Sequence, residues 1–75
     1  MHTVVDLITL ANEYLGTDLE PADAERDLAE LACWDSVYLL RLVTLLEREL
    51  GRPVSVADML EARTLGDIWT AAVGP

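Results

Sequence analysis

The sequence lacks lysine and phenylalanine, and its 75 residues include only one cysteine and one histidine. A lone cysteine cannot form an internal disulfide, and one Cys with one His supplies too few ligands for a zinc site. The sequence contains no secretory leader pattern and no apolar run near the ~18 residues of a membrane-spanning helix. We therefore expect one domain, residues 1–75, in a reducing cytoplasmic compartment.

Positive charge is also scarce, because five arginines face 14 acidic residues and the net charge is −9. This balance argues against nucleic acid and against an anionic membrane surface as partners. Nine of the acids lie in residues 1–35, where Arg26 is the only arginine, so the second half is nearly neutral. We interpret the acidic first half as a solvated face.

Helical periodicity dominates the chain. It predicts a first helix over residues 4–15, with Thr3 as N-cap and Gly16 as its end. A second apolar stripe, which ends at Gly51, predicts a central helix that buries Leu39, Leu42, Val43, Leu46 and Leu50, with Val37 and Leu40 widening the buried face.

Two shorter apolar segments complete the pattern, one capped by Ser55 and the other by Thr64. A long loop, residues 17–35, separates the first two helices and could carry a helical turn within 22–31. We expect Leu19, Leu28 and Leu31 to hold this loop against the core. The predicted fold is all-α: a small four-helix bundle with three long helices, one short helix and a long first loop.

The most informative residues are Asp35 and Ser36. Asp35 is a good N-cap for the central helix, which places the Ser36 hydroxyl beside unsatisfied backbone N–H groups at the positive end of the helix dipole. A phosphoester would be favoured there. Taken alone, however, an Asp-Ser pair at a helix start is more often only a cap.

From Trp34 onward the chain resembles the acyl and peptidyl carrier proteins, whose pattern is Asp-Ser-Leu or His-Ser-Leu, an apolar helix ending in Leu-Glu-x-x-Phe-Gly, a short helix and a Thr-initiated last helix. The matching segments are Asp35-Ser36-Val37, Leu42-Val43-Thr44-Leu45-Leu46-Glu47-Arg48-Glu49-Leu50-Gly51, Pro53-Val54-Ser55-Val56-Ala57-Asp58-Met59-Leu60 and Thr64-Leu65-Gly66-Asp67-Ile68. The resemblance covers about 40 residues without insertions. Cys33 departs from the family's usual Gly, and Val37 from its Leu.

This resemblance implies a non-catalytic carrier with a four-helix bundle of the carrier-protein type. Ser36 would accept 4′-phosphopantetheine from coenzyme A through a separate phosphopantetheinyl transferase, and the thiol of the arm would hold the cargo as a thioester. Asp35 would cap the helix and help to place metal or the pantetheinyl group during transfer. Other implied partners are an adenylation or acyl-ligase enzyme, a condensation or ketosynthase-type enzyme and tailoring enzymes, with the carrier a monomer.

The second helix also suggests a partner interface. Tyr38, Arg41, Leu45 and Arg48 recur at helical spacing on what we take as its outward face, and Tyr and Arg are common interface anchors. A solvated face, with the arginines paired to Glu47 or Glu49, is the alternative interpretation. The full predicted interface comprises Trp34, Val37, Tyr38, Arg41, Leu45, Arg48 and Met59.

The type of carrier stays open. Arg41 and the segment 54–60 look more like peptidyl carriers of nonribosomal peptide and secondary-metabolite synthesis, whereas Asp35 looks more like acyl carriers of polyketide or fatty-acid synthesis. We favour the peptidyl type. A further alternative is an unmodified carrier-like interaction module, and an enzyme is nearly excluded because no catalytic cluster or Gly-rich phosphate loop is present.

Overall fold

Helix α1 spans Val4–Leu15, α2 spans Ser36–Leu50, α3 spans Val56–Glu61 and α4 spans Leu65–Val73. The computed structural model describes residues 3–74, so both ends of the expected 1–75 domain lie outside the described residues. Residues 3–74 contain no strand, and the all-α prediction is confirmed. The predicted first helix and the predicted start and end of the central helix also agree with the structure.

The helix ends follow the local chemistry predicted for them. Gly16 and Gly51 end α1 and α2 in the left-handed region, with φ of 71° and 67°, which a residue with a Cβ rarely adopts. The hydroxyl of Ser55 accepts the backbone N–H of Asp58 at 3.3 Å, and that of Thr64 accepts the N–H of Asp67 at 3.1 Å. Each cap satisfies a helix N–H that has no partner within its own helix.

The long loop between α1 and α2 is packed against the core. It contains two short 3₁₀ helices, Pro21–Glu25 and Leu28–Glu30. Leu28 and Leu31 are buried and Leu19 is half-buried, as predicted. The N–H of Leu28 also donates to the carbonyl of Arg63 at 2.8 Å, which joins the loop to the turn before α4.

Asn12 provides a second attachment for this loop, which the sequence did not suggest. Its Nδ2 donates to the Leu19 carbonyl, and its Oδ1 accepts the Leu19 N–H, both at 2.8 Å. Oδ1 also accepts the Thr17 hydroxyl at 2.9 Å. The Asn12 side chain therefore satisfies both backbone groups of Leu19, as a neighbouring strand would, just after the chain leaves α1.

The core lies along α2. Leu42 and Leu46 of α2 are fully buried with Leu7 of α1 and Ile68 of α4. Two side chains also tie down the chain after α2: Glu47 accepts the Val54 N–H at 3.0 Å, and Arg52 donates to the Ala72 carbonyl at 2.7 Å. These contacts fix α3 and α4 relative to α2, and thereby the surroundings of Ser36.

Candidate functional site at the start of the second helix

Ser36 is the first residue of α2, and Asp35 is its N-cap, as predicted. Asp35 is in extended backbone conformation and its Oδ1 accepts the Tyr38 N–H at 2.7 Å. Ser36 is exposed, and within residues 3–74 its hydroxyl makes no hydrogen bond. The cap therefore leaves the serine hydroxyl free at the positive end of the helix.

A surface groove of about 530 Å³ lies beside this hydroxyl. It is formed by the second 3₁₀ helix, the start of α2, helix α3 and the turn before α4, and it is lined by Asp27, Leu28, Ala29, Trp34, Asp35, Ser36, Leu39, Met59, Leu60, Ala62 and Arg63. The residues at the base of the groove are mostly apolar, while Asp27 and Arg63 add one negative and one positive side chain to its lining. A flexible group attached to Ser36 would have this groove within reach.

Tyr38 and Trp34 hold the segment that leads to the serine. Their ring centroids are 5.3 Å apart with a tilt of 53° between the planes, a favourable aromatic contact. The Tyr38 hydroxyl also hydrogen-bonds the Thr17 hydroxyl at 3.1 Å, and burial raises the pKa of the Tyr38 phenol. Tyr38 thus connects the start of α2 to the loop that Asn12 holds.

Cys33 is half-buried and packs against the core. Burial raises the pKa of its thiol, and the negative charges of Asp23 and Asp35 act in the same direction against an opposing backbone hydrogen bond. A reactive cysteine has a lowered pKa, so these surroundings suit a small apolar side chain rather than a nucleophile.

The prediction that Tyr38 and Leu45 lie on the outward face of α2 is wrong. Tyr38 is 7% exposed and Leu45 8%, and Met59, also predicted at the interface, is 1% exposed. Tyr38 is covered by the loop through Thr17, and Met59 belongs to the core. Trp34 is half-buried. Whether these residues contact a partner stays a prediction, but Tyr38, Leu45 and Met59 present little surface to one.

The outward stripe of α2 instead consists of Val37, Leu40, Arg41, Thr44 and Arg48. Val37 is 59% and Leu40 55% exposed, so the expectation that both widen the buried face is also wrong. At 100° per residue, both lie on the side of the helix opposite Leu42 and Leu46. A helical wheel centred on Leu42 and Leu46 could have predicted from the sequence that Val37 and Leu40 are exposed. Their apolar character alone wrongly indicated burial.

Helix α3 also exposes apolar side chains, since Val56 and Leu60 face solvent one helical turn apart. Leu60 also lines the groove beside Ser36. Val56 and Leu60 belong, with Met59, to the apolar segment that Ser55 was predicted to cap. Of the three, only Met59 is buried, because a helix of six residues covers a narrow strip of the core.

Comparison with known proteins defines the class to which this site belongs. Residues 5–71 match the family described as "Phosphopantetheine attachment site", and the chain belongs to that family. Its members are non-catalytic carriers with covalently attached 4′-phosphopantetheine, and they work with partner enzymes such as phosphopantetheinyl transferases. The free, exposed Ser36 hydroxyl beside an open groove fits such a group.

One solved structure gives a more particular similarity. Rv0033 of Mycobacterium tuberculosis, provisionally described as an acyl carrier protein, shares 27% sequence identity with this chain, with a TM-score of 0.76 over 93% of each chain. No curated protein sequence matches this chain. The protein is therefore a carrier with an acyl-carrier-like fold.

Two further findings concern metal binding and membrane insertion. Among residues 3–74, no group of three or more His, Cys, Asp or Glu side chains is arranged to hold a metal ion. In the same part of the chain, no helix is long and apolar enough to cross a membrane.

Proposed function

We propose that Ser36 carries the 4′-phosphopantetheine and that the protein presents a thioester-bound acyl or aminoacyl group to biosynthetic enzymes. The observation that carries this proposal is the exposed Ser36 hydroxyl, which has no hydrogen bond within the described residues and stands at the start of α2 inside the family match. Asp35 holds the first turn around it through the bond to the Tyr38 N–H.

Attachment requires a transferase and coenzyme A. The Ser36 oxygen attacks the phosphorus next to pantetheine, an Oγ–P bond forms, and the P–O bond to adenosine 3′,5′-bisphosphate breaks, while the hydroxyl proton passes to a base of the transferase. The resulting phosphodiester is anionic, and the helix dipole and the free N–H groups of the first turn favour an anion at this position. Ser36 is thus placed where the product charge is stabilised.

Once attached, the arm works as a tether. Its terminal thiol forms a thioester with the cargo, and the tether raises the effective concentration of that cargo at an enzyme bound to the carrier. The groove of about 530 Å³ beside Ser36 gives the arm an apolar surface when no enzyme is bound. The protein itself needs no catalytic residue for this role.

The docking surface we propose is the exposed patch around Ser36, formed by Val37, Leu40 and Arg41 of α2 with Leu60 of α3. It replaces the interface predicted from the sequence, of which it keeps Val37 and Arg41. Its apolar centre and single cation suit the transferase, the loading ligase and the condensing or ketosynthase-type enzyme that a carrier must visit in turn.

We favour the peptidyl type, which takes its cargo from an adenylation enzyme of nonribosomal peptide or secondary-metabolite synthesis. The exposed face of α2 bears Arg41 and Arg48 where fatty-acid-type carriers tend to have acids. The second candidate is an acyl carrier of polyketide or fatty-acid synthesis, which Asp35 and the similarity to Rv0033 favour. We place the carrier in the cytoplasm as a monomer, because its single half-buried cysteine suits a reducing compartment.

The test is intact mass after incubation with coenzyme A and a promiscuous phosphopantetheinyl transferase. The wild type should gain one phosphopantetheine and Ser36→Ala none, with unchanged helical circular dichroism. Ser55→Ala is the matched control, because Ser55 is also an exposed serine at a helix start and should leave labelling intact. Labelling of Ser36→Ala would overturn the assignment, and an unlabelled wild type would favour the unmodified interaction module.

A further inference from the structure

A second groove lies on α2, away from Ser36. It has a volume of about 290 Å³ and runs between the C-terminal end of α1 and α2, lined by Tyr14, Leu15, Arg41, Thr44, Leu45 and Arg48. It shares no lining residue with the groove beside Ser36. The two grooves are therefore separate features of the surface.

The groove combines an apolar floor with aromatic and cationic walls. Leu45 is buried and Leu15 half-buried beneath it, while Tyr14 is 57% exposed. A large aromatic side chain left in solvent next to a leucine floor gives a second molecule apolar area to cover. Tyr and Arg are also the residue types that most often carry binding energy at protein interfaces.

Arg41 and Arg48 have no ion-pair or hydrogen-bond partner among the described residues. Within residues 3–74 the ion pair found is Arg26 with Asp23, and neither Arg41 nor Arg48 makes a hydrogen bond there. Glu47, one of the two expected counter-ions, instead accepts the Val54 N–H, and Glu49 forms no ion pair within residues 3–74. The face is exposed to solvent, but the expected local pairing of its arginines is absent from the described residues.

The positions of the arginines define what could bind. Arg41 and Arg48 are seven residues apart, so their backbones are separated by about 10 Å along the helix. Two acidic side chains on one short segment span a similar distance. The protein is strongly acidic, with a net charge of −9, so two exposed arginines without an ion pair among residues 3–74 form a local positive site beside an apolar floor.

We propose that this groove binds an acidic segment of a partner protein, with an apolar side chain against Tyr14 and Leu15 and carboxylates at Arg41 and Arg48. The inference rests on the proposed function, because it names the chemistry by which one enzyme of the pathway recognises the carrier. The groove admits side chains rather than a flat bilayer, and Arg41 and Arg48 supply the local positive charge that an acidic segment needs on a protein of net charge −9.

The experiment is an NMR titration of the ¹⁵N-labelled protein with three short amphipathic helical peptides. The peptides share one apolar pattern and carry Glu, Gln or Lys at every polar position. The Glu peptide should shift the amides of residues 14–15 and 41–48 and should bind less tightly as salt is raised. The Gln peptide should bind more weakly, and the Lys peptide should leave this region unchanged.

The variant Arg41→Glu/Arg48→Glu should weaken binding of the Glu peptide by roughly tenfold or more, because two attractive rim contacts become repulsive. Arg26→Glu/Arg63→Glu is the matched control, since it changes the net charge equally outside the groove and should bind like the wild type. Equal binding by the three peptides, shifts confined to the Ser36 end of α2, or equal losses in both double variants would overturn the proposal.

Two further measurements separate the alternatives. If the free protein dimerises through the groove in sedimentation equilibrium, the occupant is a second copy and the proposal is wrong. Phosphopantetheine labelling of the wild type, measured by intact mass, should go to completion and tests the proposed function separately. An unlabelled wild type would overturn the proposed function while the peptide titration still decides the groove.

Discussion

Replacing Asn12 by Ala tests how the long first loop is held. The substitution removes three hydrogen bonds of 2.8–2.9 Å, two to the backbone of Leu19 and one to Thr17. Each contributes about 0.5–1.5 kcal/mol net, and we use about 0.8 kcal/mol for each bond because water reaches this partly buried site. Ala is the better helix former by roughly 0.5 kcal/mol. We therefore expect Asn12→Ala to lower the free energy of unfolding by about 2 kcal/mol.

That loss is large for a protein of this size, whose total stability is on the order of 4–11 kcal/mol. With a urea dependence of about 1 kcal/mol per M, the unfolding midpoint should fall by about 2 M. Thr17→Val should have an intermediate effect of about 1 kcal/mol, because it removes one bond to Asn12 and leaves the Tyr38 hydroxyl without its partner. Glu13→Ala, an exposed neighbour on α1, is the control and should stay within about 0.5 kcal/mol.

Hydrogen exchange gives a local measurement of the same contact. The Leu19 amide donates to Asn12 in the folded protein, so it should exchange much faster in Asn12→Ala, whereas the Leu42 and Leu46 amides should follow global stability. An unchanged urea midpoint together with unchanged Leu19 exchange would refute the reasoning. The loop would then be held by its other contacts, such as the burial of Leu28 and Leu31 and the bond from the Leu28 N–H to the Arg63 carbonyl.

Two further predictions concern Asp35, the N-cap of α2, and Cys33, which lies two residues before it in the chain. Asp35→Ala should lower the free energy of unfolding by about 1 kcal/mol, because it removes the bond to the Tyr38 N–H. Asp35→Asn, an equally good cap, should retain most of the wild-type stability. Equal thermal midpoints for the two variants would contradict this prediction. Because the pKa of the Cys33 thiol is raised, the folded protein contains less Cys33 thiolate at pH 8 than the unfolded chain does. Iodoacetamide should therefore alkylate Cys33 more slowly in the native protein than in urea. Equal alkylation rates would show that the fold does not protect this thiol.

Local sequence determined where the helices lie, where they begin and end, and the position of Ser36 at the start of α2. Gly16 and Gly51 end α1 and α2, and Asp35, Ser55 and Thr64 cap the helices that follow them, because capping and left-handed turns depend on a few adjacent residues. Ser36 needed no tertiary information either, since its position follows from the cap beside it. The order and spacing of the short motifs identified the family for the same reason.

Only the tertiary structure decided which side chains are covered. Tyr38 has the look of an interface residue in the sequence, but the loop that Asn12 and Thr17 hold brings a hydroxyl partner to it and buries it. Val37 and Leu40 read as core, yet no other element covers their side of α2. Burial depends on contacts between residues far apart in the chain, and the polar bonds of Asn12 leave no periodic pattern. For that reason, the sequence placed Ser36 at the start of α2, while the surface offered to partners required the folded structure.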